Sequence, residues 1–225
     1  MLKQIIYTCA FITLLIFSSF RMQNKKTVRY LPLGDSYTIG TGTTEKESWP
    51  YLLTNHLNDN GLACQLLDNP ARNGFTTQNL IDHELPLLTK LKPDFVTLLI
   101  GVNDWVRNVP EVTFNDNLVY ILDEIQKALP DKNKVILVTI PDFGVTPQGK
   151  QYSNGRNISR GITGFNAIIK AEAKKRNLRV VDVFELSQRM ASDASLIAAD
   201  GLHPSGKEYA EWEKLLLPEA LRLLK

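Results

Sequence analysis

The sequence predicts an α/β sandwich built on a parallel sheet, and two features of its patterning predict it. Five short apolar runs, Val28–Leu33, Ala63–Leu67, Phe95–Ile100, Val135–Ile140 and Val180–Phe184, have the near-continuous hydrophobic character of strands covered on both faces. Longer segments lie between them, with apolar residues at helical spacing, so strand and helix alternate along the chain. Composition agrees: the 225 residues are 44% hydrophobic and 22% charged, ordinary values for a folded domain. They exclude a disordered tail, a collagenous chain and a disulfide-rich miniprotein. The length suits one domain with a substantial core rather than two.

The elements follow in order. After the first run, Ser48–Asn58 has a capping Ser, Pro50 early, and Leu52, Leu53 and Leu57 on one stripe. Thr77–Leu91 carries Leu80, Ile81, Leu85 and Leu88, with a kink expected at Pro86. Thr113–Leu129 repeats Leu118, Ile121, Leu122 and Ile125, and Gly164–Arg176 and Ser205–Leu224 read as helices too. The apolar face of Leu215–Leu217 and Leu221–Leu224 reads as core rather than as a dimer seam. Gln148–Arg160, rich in Gly, Ser and Asn, is the one long polar loop expected, placed to border a site.

Residues 1–26 stand apart from the domain expected over 27–225. Gln4 to Phe20 holds no charge and is mostly apolar, behind Lys3 and ahead of Arg21. This reads first as a secretion signal, cut near Ser18-Ser19 although Phe17 and Phe20 blur the small-residue pattern. The alternative is an uncleaved membrane anchor over residues 4–20; either places the domain outside the cytoplasm. Taking Lys3, Arg21, Lys25 and Lys26 from the 26 basic residues leaves 22 against 24 acidic, so the whole-chain charge of +2 becomes −2. Neither value argues for nucleic acid. Cys64 is then the one cysteine of the domain, with no intrachain partner, and reads as a small buried residue.

Four fragments carry chemistry. The first run ends in Leu33-Gly34-Asp35-Ser36, and ligands of open parallel sheets bind beyond the strands' carboxyl ends. Ser36 is therefore placed as a nucleophile, although Gly-Asp-Ser alone is also a common turn. Asn73-Gly74 follows the second run, where a glycine N–H can approach a ligand or merely serve a loop. Gly101-Val102-Asn103-Asp104 follows the third, where the Asn103 amide can donate to an oxyanion or simply make a turn. Asp200-Gly201-Leu202-His203-Pro204 makes a turn that brings a carboxylate to an imidazole. The plainer reading of that pair is the start of the last helix. His56 and His83 fall in helical segments and read as partly exposed polar residues. Taken together, the fragments supply nucleophile, oxyanion donors, base and orienter at one sheet edge.

In these residues the sequence resembles the SGNH hydrolases, also called GDSL esterases and lipases. The blocks are Gly34-Asp35-Ser36, Gly74, Gly101-Val102-Asn103-Asp104 and Asp200-Gly201-Leu202-His203, in the family's order. Tyr37 stands where the family name has Leu, a position with no chemical role. The resemblance implies a three-layer α/β/α, flavodoxin-like fold with a five-stranded parallel sheet in the order 2-1-3-4-5. It implies a secreted serine ester hydrolase, with Ser36 as nucleophile, His203 as base and Asp200 as its orienter. It also implies an oxyanion hole from the N–H groups of Ser36 and Gly74 and the Asn103 side chain. No cofactor or metal is expected: no His-Glu-x-x-His, paired-Cys, phosphate-loop or complete dinucleotide-loop motif is present.

The expected partner is a small-molecule, acylated-glycan or lipid ester, with short-chain or acetyl esters favoured because no large lid insertion is evident. Membrane contact is expected only if residues 4–20 stay attached. Trp105, Phe143 and Tyr152 are candidate pocket residues, whereas Trp49 reads as core. The family also contains lysophospholipases and thioesterases. The rivals are a non-catalytic glycan- or acyl-binding module on the same fold and a flavin- or nucleotide-binding α/β protein.

Overall fold

The computed structural model describes residues 27–225, so the expected signal or anchor over residues 1–26 lies outside the described residues. The strands are β1 (Val28–Gly34), β2 (Cys64–Leu66), β3 (Phe95–Leu99), β4 (Val135–Val138) and β5 (Arg179–Val181). They form one parallel sheet in the order β2-β1-β3-β4-β5. The helices are α1 (Ser36–Ile39), α2 (Trp49–Asp59), α3 (Thr77–His83), α4 (Leu85–Leu91), α5 (Val102–Val106), α6 (Glu111–Ala128), α7 (Ile158–Arg176), α8 (Phe184–Ser187) and α9 (Gly206–Leu224). α2 packs on α9, while α3 and α4 pack on α6 and α6 on α7, giving two helical layers.

The sheet core follows the apolar runs: β3 and β4 are buried along their whole length. Phe114 of α6 stacks on Phe165 of α7 with ring centroids 4.4 Å apart. Trp49 is fully buried and donates its indole N–H to the Tyr37 carbonyl at 2.9 Å, so it is core.

Pro32 lies inside β1, where a proline is costly unless its missing N–H faces no partner. The Val28 N–H bonds the Ala63 carbonyl and the Leu67 N–H bonds the Tyr30 carbonyl, so the even-numbered residues of β1 face β2. β2 ends opposite Tyr30, at Leu66. Pro32 therefore faces the side where the neighbouring strand has already stopped.

Several boundaries differ from the sequence expectation. The segment Thr77–Leu91 is two helices, not one kinked helix, because Pro86 in the first turn of α4 cannot donate back across the break at Glu84. The outer strands are shorter than their apolar runs: β2 is three residues, and Phe184 begins α8 instead of ending β5. α7 starts at Ile158, where the Asn157 side chain accepts the Arg160 N–H at 2.9 Å. Gly161 and Gly164 obscure that start in the sequence. A Cβ on Gly161 would stand 1.8 Å from Trp105 Nε1, so close packing and not chain flexibility explains that glycine.

Candidate active site

Gly34 ends β1 against Leu99 of β3, and a Cβ there would lie 2.2 Å from the Leu99 carbonyl oxygen. Only glycine lets the chain turn here. Asp35 then caps α1, its Oδ1 accepting the Tyr37 N–H at 3.0 Å, and Ser36 is the first residue of that helix. Asn69 donates its amide to the Thr38 carbonyl at 2.9 Å and ties α1 to the loop after β2. Asp35 is fully buried; burial pushes its carboxyl up to about 8, with the Tyr37 N–H opposing and Asp104 adding to the rise.

Across the edge, Asp200 Oδ2 lies 2.6 Å from His203 Nδ1. Asp200 Oδ1 accepts the N–H groups of Leu202 and His203, each at 2.9 Å. Partial burial works against the Asp200 charge, but these hydrogen bonds outweigh it and hold the carboxyl below its ordinary range. Gly201, at φ +71°, makes the turn, and its carbonyl accepts the Gln148 N–H at 3.0 Å. The Tyr37 and His203 rings pack edge-to-face at a centroid distance of 5.7 Å, so the residue that departs from the family name packs beside the imidazole.

α5 carries Asn103 on the far side of Ser36. Its Nδ2 donates to the Phe75 carbonyl at 3.0 Å, which uses one of the two amide hydrogens. Arg107 donates to the Gly74 carbonyl at 2.8 Å, and Thr77 donates its N–H and hydroxyl to Asp104 at 2.9 and 2.5 Å. These bonds lock the Gly74 loop against α5. Burial raises the Asp104 carboxyl, with the Thr77 hydrogen bonds opposing.

Ser36, Asn103 and His203 line one pocket of about 50 Å³, together with Tyr37, Val102, Val106, Phe143, Tyr152 and Leu202. Gly74 is not among its walls, and Ser36 Oγ and His203 share the pocket without a hydrogen bond between them. Such bonds commonly tighten only when substrate is bound. Of the aromatic candidates, Phe143 and Tyr152 reach the wall. Trp105 stands behind Phe143, with the Arg156 guanidinium 3.8 Å above its ring. His56 Nδ1 lies 2.9 Å from Glu213 Oε2 and His83 stacks on Phe75, so neither joins the pocket. Among the described residues no three His, Cys, Asp or Glu side chains cluster to hold a metal ion.

The profile of the GDSL-like Lipase/Acylhydrolase family matches residues 33–210. The chain belongs to that family. This GDSL, or SGNH, chain is 26% identical to an arylesterase of Vibrio mimicus, covering 86% of this chain and 88% of the relative. It is 29% identical to a multidomain esterase of Ruminococcus flavefaciens over 88% of this chain, but spans only 29% of that protein's length. The crystal structure of TesA superposes with a TM-score of 0.68 at 26% identity, covering 87% of this chain and 99% of that one. A family 3 carbohydrate esterase of Clostridium thermocellum superposes at 0.70, over 89% of this chain and 100% of that one; at 22% identity it shows the fold alone. The GDSL chain is thus a carboxylic ester hydrolase on the fold the sequence predicts.

Two residues bearing on this site escape the motif reading. Val106 enters the wall because α5 turns it towards Ser36. Glu84 is buried and accepts the Gly34 N–H two residues before Ser36; its signal is the Leu80, Glu84, Leu88 spacing, which places a carboxyl on the buried stripe of a helical segment.

Proposed function

We propose that this chain hydrolyses short-chain or acetyl esters through an acyl-enzyme on Ser36. The observation that carries the reading is the shared pocket of Ser36, Asn103 and His203, with Asp200 fixed on the far nitrogen of the imidazole. With its Nδ1–H held by Asp200, His203 presents Nε2 as the proton acceptor. Ser36 Oγ attacks the ester carbonyl as Nε2 takes its proton. The oxyanion is met by the N–H groups of Ser36 and Gly74 and by the Asn103 amide hydrogen that Phe75 leaves free. His203 then protonates the departing alcohol, and water repeats the sequence to release the acid.

The pocket volume of about 50 Å³ favours a small acyl group over a long chain. Val102, Val106 and Leu202 supply its apolar wall. We also propose that residues 1–26 direct the domain out of the cytoplasm, supported by the charge-free run from Gln4 to Phe20, with an anchor over residues 4–20 as the alternative. The test is hydrolysis of p-nitrophenyl esters from acetate to decanoate by residues 27–225, beside Ser36→Ala. Turnover greatest on the shortest esters and absent from the variant is expected. Turnover retained by a folded Ser36→Ala removes the nucleophile, and a decanoate optimum removes the short-chain preference.

A further inference from the structure

We propose that Glu84 is the positioning residue of the nucleophile turn, acting through the backbone N–H of Gly34. This rests on the reading of Ser36 as nucleophile. Glu84 sits at the break between α3 and α4 and is wholly buried. Its Oε2 accepts the Gly34 N–H at 2.9 Å.

The register of the sheet explains why that bond is needed. Even-numbered residues of β1 face β2, but β2 ends opposite Tyr30. Beyond that point two backbone donors would face no strand. Pro32 removes the first by having no N–H. The second belongs to Gly34, which must be glycine because of the Leu99 carbonyl. A buried N–H without an acceptor is costly, and Glu84 supplies the acceptor from the crossover between β2 and β3.

The consequence reaches Ser36 in two residues. The Gly34 N–H bond fixes the Leu33–Gly34 peptide, and the next residue, Asp35, caps α1 at Ser36. Glu84 therefore sets the height of the Ser36 turn over the sheet edge, touching neither substrate nor the reacting atoms.

Burial favours the uncharged form of this carboxyl. Burial pushes Glu84 well above the usual range; the Gly34 N–H and Arg72 oppose that rise, and the nearby Asp35 carboxyl adds to it. Its Oε1 and Asp35 Oδ2 are both buried without partners among the described residues, where an ionised carboxylate is costly. Glutamine is then a near-isostere that preserves the acceptor.

The experiment compares Glu84→Gln and Glu84→Leu with wild type in ester kinetics and in the rate of Ser36 labelling by a fluorophosphonate, with circular dichroism to verify the fold. Glu84→Gln should stay within about threefold of wild type, because the acceptor for Gly34 remains. Glu84→Leu should lose about tenfold to 100-fold in kcat, with KM nearly unchanged and labelling slowed in proportion, as for a small displacement of a nucleophile. If Glu84→Leu does not fold, Glu84→Asp takes its place: it withdraws the carboxyl by one methylene and should show the same loss. A folded Leu or Asp variant with wild-type labelling and kcat overturns the proposal, as does a Gln variant as impaired as Leu. A wild-type chain that turns over esters but takes no label on Ser36 would instead remove the nucleophile assignment, and the Glu84 role with it.

Discussion

Asp200 Oδ2 lies 2.6 Å from His203 Nδ1 while its other oxygen accepts the N–H of His203 itself. One carboxylate thus grips both the ring and the backbone of the residue it orients. The turn Gly201-Leu202 makes this possible: it folds the chain so that a three-residue separation becomes direct contact. The same turn receives the Gln148 backbone, so His203 is held from outside the helix that follows it.

Asp200→Asn keeps the shape but loses the charge that stabilises the imidazolium, and the amide can select the wrong tautomer. A fall in kcat of about 10,000-fold is expected from steady-state kinetics. Stability gives a second check. The folded Asp200 carboxyl lies below its ordinary value of 3.8, so its contribution is present above that pH and is lost as pH falls through the folded value. The urea midpoints of wild type and Asp200→Asn should therefore converge in acid.

Asn103→Ala removes one proposed oxyanion donor and also frees the Phe75 carbonyl that anchors the Gly74 loop. Turnover should fall about 100- to 1,000-fold with a smaller effect on KM. Full activity in the folded variant would remove Asn103 from the oxyanion hole.

Asp35 gives the opposite pH sign to Asp200. Its carboxyl is raised from 3.8 to about 8, so the stability of the neutral form is complete below 3.8 and is lost as pH rises to about 8. Asp35→Asn stays neutral and can still accept the Tyr37 N–H. Its urea midpoint, measured at pH 4, 6 and 8, should gain on wild type with each step; parallel curves would contradict the raised value.

Tyr152 forms part of the pocket wall while 41% exposed, which marks it as a rim residue. Tyr152→Ala should open the pocket to longer acyl groups. Preference for butyrate over acetate should rise by roughly fourfold per methylene newly buried. An unchanged chain-length profile would place the acyl group elsewhere in the pocket.

Strand positions were legible because both faces of the sheet are covered, so β3 and β4 read as continuous apolar runs. The Asp200–His203 turn was legible because Gly201 and Pro204 punctuate it. What the sequence hid depends on contacts distant along the chain. The start of α7 is masked by Gly161, whose missing side chain makes room for Trp105 on α5. The role of Glu84 depends on where β2 stops relative to β1, a matter of register that no local pattern encodes. The pocket wall likewise draws Val106, Tyr152 and Leu202 from three separate segments.

The central claim is a covalent acyl-enzyme on Ser36. Rapid acid quench of the chain during turnover of p-nitrophenyl acetate, followed by peptide mass spectrometry, tests it most directly. An acetyl group on the peptide carrying Ser36, absent from Ser36→Ala, is the result expected. Turnover by the wild type with no acetylated Ser36, or acetyl transfer to another residue that keeps pace with turnover, would contradict it.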